Sequence, residues 1–325
     1  MSDQGQGHYA TVVRSMAEGR VVPLLGAGVN LASRPKDTPW QQGKYLPNGY
    51  ELATYLAGMF PFPEKNDLNL LRVSQYIVAT QGLGPLYDEL RKLFDDNYPA
   101  TPVHDFFAAL PGKLRKLGTP QYQVILTTNY DDALERAFDA AGEQYDVIWY
   151  IADREPRGKF WHKPPGAAEP NVIDRPNAYD GLAIDERTVI LKIHGAVDRA
   201  NAERDSYVIT EDHYIDYLTK TDVSQLIPAE LLVKLTRSRF LFLGYSMQDW
   251  NLRVILHRIW GQQPLSYKSW AIQRSPNEIE QELWEARGVD VLDIPLDQYV
   301  KDLEKALEHP STNGTGSDGS APDGK

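Results

Sequence analysis

The stretch Gln123-Val124-Ile125-Leu126-Thr127-Thr128-Asn129-Tyr130-Asp131 decides the fold. Its first half is short, rich in β-branched residues and almost unbroken in apolar character. Such a run predicts a strand buried on both faces, as in a parallel sheet. Polar residues follow at once, and Asp131 to Ala141 reads as a helix ending at Gly142. The same pattern recurs along the chain. Apolar strands are predicted at Arg20 to Leu25, Asp146 to Ile151, Val189 to Ile193, Phe240 to Leu243, Ser269 to Ile272 and Val289 to Ile294, with a helix at Asn277 to Arg287. Strand alternating with helix predicts an α/β fold built on a doubly wound parallel sheet.

Working outward, Tyr9 to Glu18 reads as a short helix ahead of the first strand. Between about 33 and 120 lies a helical insertion, with apolar residues at three- and four-residue spacing in Glu51 to Met59, Leu68 to Ala79 and Pro85 to Phe94. Residues 154–185 are rich in Pro, Gly and charge and read as a long, lid-like surface loop. Residues 311–325 are Gly-, Ser- and Asp-rich, the composition of a disordered tail. The expected organisation is one domain over 1–310 followed by that tail.

Composition narrows the chemistry. The 325 residues carry 34 Lys and Arg against 45 Asp and Glu, a formal net charge of −11. A chain this acidic has no general attraction to nucleic acid or an anionic membrane, so neither is an expected partner. There is no cysteine. That excludes disulfides, thiolate nucleophiles, iron–sulfur clusters and cysteine-held zinc. The first nine residues are polar and Gly-rich, and no apolar run of membrane-spanning length occurs, so a cytoplasmic location is expected.

Four predicted strand ends carry polar, Gly-containing segments: Gly26-Ala27-Gly28-Val29-Asn30, Thr127-Thr128-Asn129-Tyr130-Asp131, His194-Gly195, and Gly244-Tyr245-Ser246-Met247-Gln248-Asp249. In a parallel sheet the carboxyl ends of the strands share one edge, where such folds bind ligands. Gly26-Ala27-Gly28 reads either as a turn that lets a diphosphate approach free amides or as an ordinary strand-to-helix turn, since Leu31 stands where a third fingerprint glycine belongs. Asn129 reads as a helix cap, with Asp131 in the first helical turn, or as a carboxamide that holds a polar substrate group. His194, among 7 histidines, reads as a general base or as a satisfied structural residue. The other histidines show no metal-ligand spacing, and no metal is expected. A P-loop and a serine-hydrolase elbow are both missing.

In this order the four segments resemble the sirtuin-like family, over about Val21 to Ile294. The chain's Asn30 stands for the serine of that family's first loop. The resemblance implies a Rossmann-type domain that binds NAD. Protein-deacylating members carry a zinc module held by four cysteines, which this chain lacks, and it is more similar to prokaryotic sirtuin-like effectors. Thr128-Asn129-Tyr130-Asp131, Ile209-Thr210-Glu211-Asp212-His213-Tyr214 and Gly244 to Asp249 carry that closer likeness. This closer resemblance implies NAD hydrolysis in antiphage defence, with NAD as substrate rather than bound cofactor. Asn129, Asp131 and His194 would be catalytic; Gly26, Ala27, Gly28, Asn30, Thr128, Gly244, Ser246 and Asp249 would bind the dinucleotide. A module that senses NAD or ADP-ribose without turnover, and a protein deacylase, are the alternatives. The length leaves little chain for a sensor, so a homo-oligomer and a separate sensor such as a HerA-type ATPase are expected partners.

Overall fold

The computed structural model of the chain describes residues 3–32, 34–119, 121–219, 226–245, 256 and 267–309. Nine strands form one sheet: β1 (Val21–Leu25), β2 (Val124–Thr127), β3 (Tyr145–Tyr150), β4 (Phe160–Lys163), β5 (Asn171–Ile173), β6 (Thr188–Lys192), β7 (Arg239–Leu243), β8 (Ser269–Gln273) and β9 (Val289–Asp293). Their order is β5-β4-β3-β6-β2-β1-β7-β8-β9. All pairings from β3 through β9 across β6, β2, β1, β7 and β8 are parallel. From β1 the chain steps through β2 to β3 and the edge strands β4 and β5, returns to insert β6 between β3 and β2, and then crosses to β7 on the other side of β1. The point of reversal therefore falls between β1 and β7, which is where open α/β sheets place their ligand crevice.

The described residues form ten helices: α1 (Asp3–Ala17), α2 (Gly49–Met59), α3 (Leu70–Gln81), α4 (Leu83–Phe94), α5 (Pro102–Lys116), α6 (Ala133–Ala141), α7 (Glu211–Thr219), α8 (Ala229–Thr236), α9 (Glu278–Glu285) and α10 (Leu296–Glu308). Alternate residues of each central strand serve opposite faces. Val22, Leu24, Val124, Leu126, Phe240 and Phe242 pack with Leu231 and Leu235 of α8 and Trp284 of α9. Val21, Leu25, Ile125, Ile190, Leu241 and Leu243 pack with residues of α1, α5, α6 and α10. Covering both faces is why these strands read as unbroken apolar runs. A third cluster, under α2, α3 and α4, reaches Tyr130 and Tyr207 at the edge of the crevice.

The sheet is not wholly parallel. Residues 154–185, expected as a lid-like loop, contribute β4 and β5, which pair antiparallel on β3 and extend one edge. Nine residues, 151–159, join β3 to β4, closed by Ile151 N–H to Lys159 O at 2.9 Å and Gly158 N–H to Ile151 O at 2.8 Å. A parallel crossover needs a dozen residues or more, so a connection this short folds straight back. The predicted helix at Asn277 is confirmed with Asn277 as cap, its side chain accepting from Ile279 N–H at 3.0 Å. Helix α6 begins at Ala133, two residues later than predicted, and ends where Gly142 adopts φ 68°. The expected tail, 311–325, lies outside the described residues.

Helix α5 begins in a reciprocal cap. Thr101 N–H donates to His104 Nδ1 at 3.1 Å, so the imidazole acts where Glu or Gln usually closes such a box. His104 is buried, and burial lowers its pKa to about 4; burial does the same to His8. A histidine held neutral in the fold, but titrating near 6.5 in the unfolded chain, contributes stability that is full above pH 6.5. That contribution is lost as the pH falls toward 4, and for His104 it amounts to about 3 kcal/mol. Urea titrations at stepped pH should show stability falling between pH 6.5 and 4. His104→Gln, which keeps an acceptor at the cap, should make that decline shallower; an unchanged slope would refute the assignment.

Candidate active site

The ends of β6, β2, β1 and β7 surround a cavity of about 900 Å³. Ala27, Gly28, Asn30, Thr128, Asn129, Asp131, His194 and Gly244 all line it. Gly26 backs the same turn. The structure therefore brings together most of the residues singled out from sequence; Ser246 and Asp249 lie outside the described residues.

Close backbone packing explains the glycines. Gly26 N–H donates to Leu243 O at 3.0 Å and Gly28 N–H to Gly244 O at 2.7 Å. A Cβ on Gly28 would sit 2.6 Å from Gly244 O, and one on Gly244, at φ 64°, would clash with Val29 N. The Gly28 amide is thus engaged by the β7 turn rather than left open, which revises the expectation of free amides there. From the same turn comes Asn30, 6% exposed, whose Oδ1 has no hydrogen-bond partner among the described residues. A buried, unsatisfied acceptor on a cavity wall can take a hydrogen bond from a polar ligand.

On the next strand, Thr127 Oγ1 donates to Leu25 O at 3.0 Å and accepts from Asn129 N–H at 3.1 Å. Asn129 is not a helix cap. Its Nδ2 donates to Gly26 O at 3.4 Å, tying the second loop to the first. Asp131 takes the capping work instead, Oδ1 accepting from Ala133 N–H at 3.1 Å. The carboxylate thereby starts α6 while bordering the cavity.

Lys192, at the end of β6, escaped the sequence reading although a lysine closing an apolar strand is a visible signal. It is 1% exposed, and its Nζ donates to Asp131 O and, at 2.7 Å, to Glu135 Oε1. Burial raises the pKa of Glu135 against the lowering pull of Lys192. This pair fastens the Asn129–Asp131 loop to the strand that carries His194. Tyr130, between the two candidate residues, donates its hydroxyl to Val208 O at 2.8 Å.

His194 is 5% exposed. Its Nε2 lies 3.4 Å from the hydroxyl of Tyr214, with the rings edge to face. Behind it, Gly195 takes φ 86°, and a Cβ there would clash with Ser206 O. Val208 N–H to His194 O at 2.8 Å and Ser206 N–H to Ala196 O at 3.0 Å zip this segment to the extended stretch 206–208. Arg34, Lys36 and Arg274 also border the cavity, together with Asp131 and Asp297, and Arg34 is paired with Glu51. Sequence alone gave no reason to choose these three over the other basic residues.

The profile of the SIR2-like domain matches residues 123–292. The chain belongs to that family. The match begins at the strand before Asn129 and takes in His194 and Gly244. Among curated proteins, this SIR2-like chain is similar to the defense-associated sirtuin 2 of Bacillus subtilis, 23% identical over 87% of the chain and 24% of the relative. It is also similar to two proteins named NAD(+) hydrolase ThsA. That of Enterococcus faecium is 27% identical over 75% of the chain and 41% of the relative. That of Acinetobacter baumannii (strain 532279) is 26% identical over 76% and 41%. The chain spans about a quarter to two fifths of the length of these relatives.

Two glycines make opposite predictions. Gly195→Ala places a methyl group into backbone at positive φ and should destabilise by about 2–4 kcal/mol. Gly58→Ala, in α2 with nothing within 4 Å of the added methyl, should be neutral or stabilising by up to about 1 kcal/mol. Chemical denaturation of both variants checks the contrast.

Proposed function

We propose that this SIR2-like chain hydrolyses NAD+ at the nicotinamide–ribose bond, releasing nicotinamide and ADP-ribose, as an effector of bacterial antiphage defence. The observation that carries the reading is the meeting of Asn129 and His194 with the Gly26–Asn30 turn on one cavity large enough for a dinucleotide. The relatives named NAD(+) hydrolase and defense-associated sirtuin point the same way.

The bond to nicotinamide breaks with its electron pair leaving to the pyridine nitrogen, while positive charge develops on the ribose. In this reading Asn129 holds the attacking water or the ribose. His194 takes a proton from that water or from a ribose hydroxyl, as a general base. Asp131 keeps the wall polar and its loop in place. The diphosphate faces the turn at Ala27 to Asn30, whose open acceptor Asn30 Oδ1 suits a hydroxyl or amide donor, and Lys36 balances part of the negative charge. Ser246 and Asp249 belong to the same proposal as further contacts, as do a homo-oligomer and a separate ATPase sensor as the setting.

A deacylase would use the same pocket but needs an acyl-peptide, and the cysteine-held zinc module of such enzymes has no counterpart in a chain without cysteine. Incubation with NAD+ and chromatography of the products tests both. Nicotinamide and ADP-ribose should appear without peptide. His194→Ala and Asn129→Ala should each lower turnover by about 100- to 10,000-fold, the range for a positioned acid–base group. Near-wild-type rates in both variants, or release that depends on acyl-peptide, would overturn the reading.

A further inference from the structure

Three consecutive residues at the start of α7 each reach a different part of the molecule. Asp212 meets the helical insertion: Gln75 Nε2 donates to Asp212 Oδ2 at 2.9 Å, and Asp212 N–H donates to Gln75 Oε1 at 3.2 Å. His213 meets the end of β3: its Nε2 lies 2.7 Å from Asp153 Oδ1, and Asp153 also accepts from the Tyr87 hydroxyl. Tyr214 meets His194, across the cavity wall that both line.

The first two contacts fix the third. His213 Nδ1 accepts from Ile209 N–H at 3.0 Å and Thr210 N–H at 3.2 Å, while His213 N–H donates to Thr210 Oγ1 at 3.3 Å. This is a second Thr–His capping box, of the same form as Thr101–His104. With Nδ1 accepting, Nε2 carries the proton and donates to Asp153. Burial alone would raise the Asp153 pKa; hydrogen bonds from His213 and Tyr87 outweigh it and hold the group lowered, as the carboxylate. The first turn of α7 is therefore anchored on two sides, and Tyr214, 8% exposed, projects from it with little freedom.

We infer that Tyr214 is a positioning residue for His194. Its hydroxyl sets the rotation of the imidazole through Nε2: with Nε2–H donating to the phenol oxygen, Nδ1 is the nitrogen that takes up a proton, and the bond to Tyr214 is kept in the imidazolium. The edge-to-face packing of the rings, centroids 5.6 Å apart, restricts tilt. This rests on the reading of His194 as the base, and the test separates the two.

Uniform ¹⁵N-histidine labelling of the full chain, with His194 assigned through His194→Ala, reads the ring nitrogens without any turnover. Tyr214→Phe should shift the His194 nitrogens and leave the others in place. In the NAD+ assay it should lower kcat by about 10- to 100-fold with KM within about threefold, as for loss of an interaction made in the transition state. Unchanged His194 nitrogens in Tyr214→Phe would overturn the inference even if the wild type hydrolyses NAD+. Shifted His194 nitrogens in Tyr214→Phe, together with a wild-type chain that fails to turn over NAD+, would sink the hydrolase reading and leave the contact standing. If Tyr214→Phe unfolds, the exposed variant Asp212→Ala replaces it. Freeing α7 from Gln75 should move the His194 nitrogens in the same direction, and no movement would overturn the inference.

Discussion

The turns after β1 and β7 touch through bare backbone, and the crevice depends on that contact. Neighbouring strands lie about 4.8 Å apart, so two turns leaving adjacent strand ends in the same direction collide unless neither carries a side chain. Gly28 and Gly244 meet this condition, and the hydrogen bond between them locks the two loops as one floor. Asn129 then leans on Gly26, so the second loop takes its place from the first. The position of the reversal between β1 and β7 is what makes this floor the base of a cavity rather than a surface turn.

The polar groups around that floor are held by buried charge. Lys192 and Glu135 contribute little net stability by themselves, because desolvating two ions offsets most of their attraction. Their effect is on geometry. With Nζ also bound to Asp131 O, the pair fixes one loop against the next strand. Asp153 does similar work on the opposite side, gathering Tyr87 from the helical insertion and His213 from α7. Arg34, buried against Glu51 and donating to Leu46 O at 2.8 Å, orders the start of α2 beside the cavity mouth. The insertion is thus tied at several points to the sheet edge that lines the cavity.

Much of the fold was legible because sheet burial on both faces leaves an unmistakable pattern. Val124 to Leu126, Val189 to Leu191 and Phe240 to Leu243 are apolar without alternation, and each is a central parallel strand. The strand-end residues Asn129, His194 and Gly244 were legible for the same reason, since a parallel sheet sends all its carboxyl ends to one edge. The edge strands β4 and β5 were not. Phe160 to Lys163 alternates buried and half-exposed residues amid prolines and charges, and its strand character comes from pairing with β3. Lys192 closes an apolar strand and so carried a signal, but its partners Asp131 and Glu135 did not, and nothing in local sequence links residues 153 and 213 or 194 and 214.

By itself, then, the sequence determined the seven strands of the parallel part of the sheet, the edge that gathers the polar strand ends and the lack of any thiolate or cysteine-held zinc in this chain. These depend on periodicity and composition, which are local. The tertiary structure decided which amides remain open, which carboxylate caps a helix and which side chains fasten the loops. Those depend on distances between residues far apart in the chain, such as His194 with Tyr214 and Gln75 with Asp212. Such pairings are set by packing, and packing has no local signature.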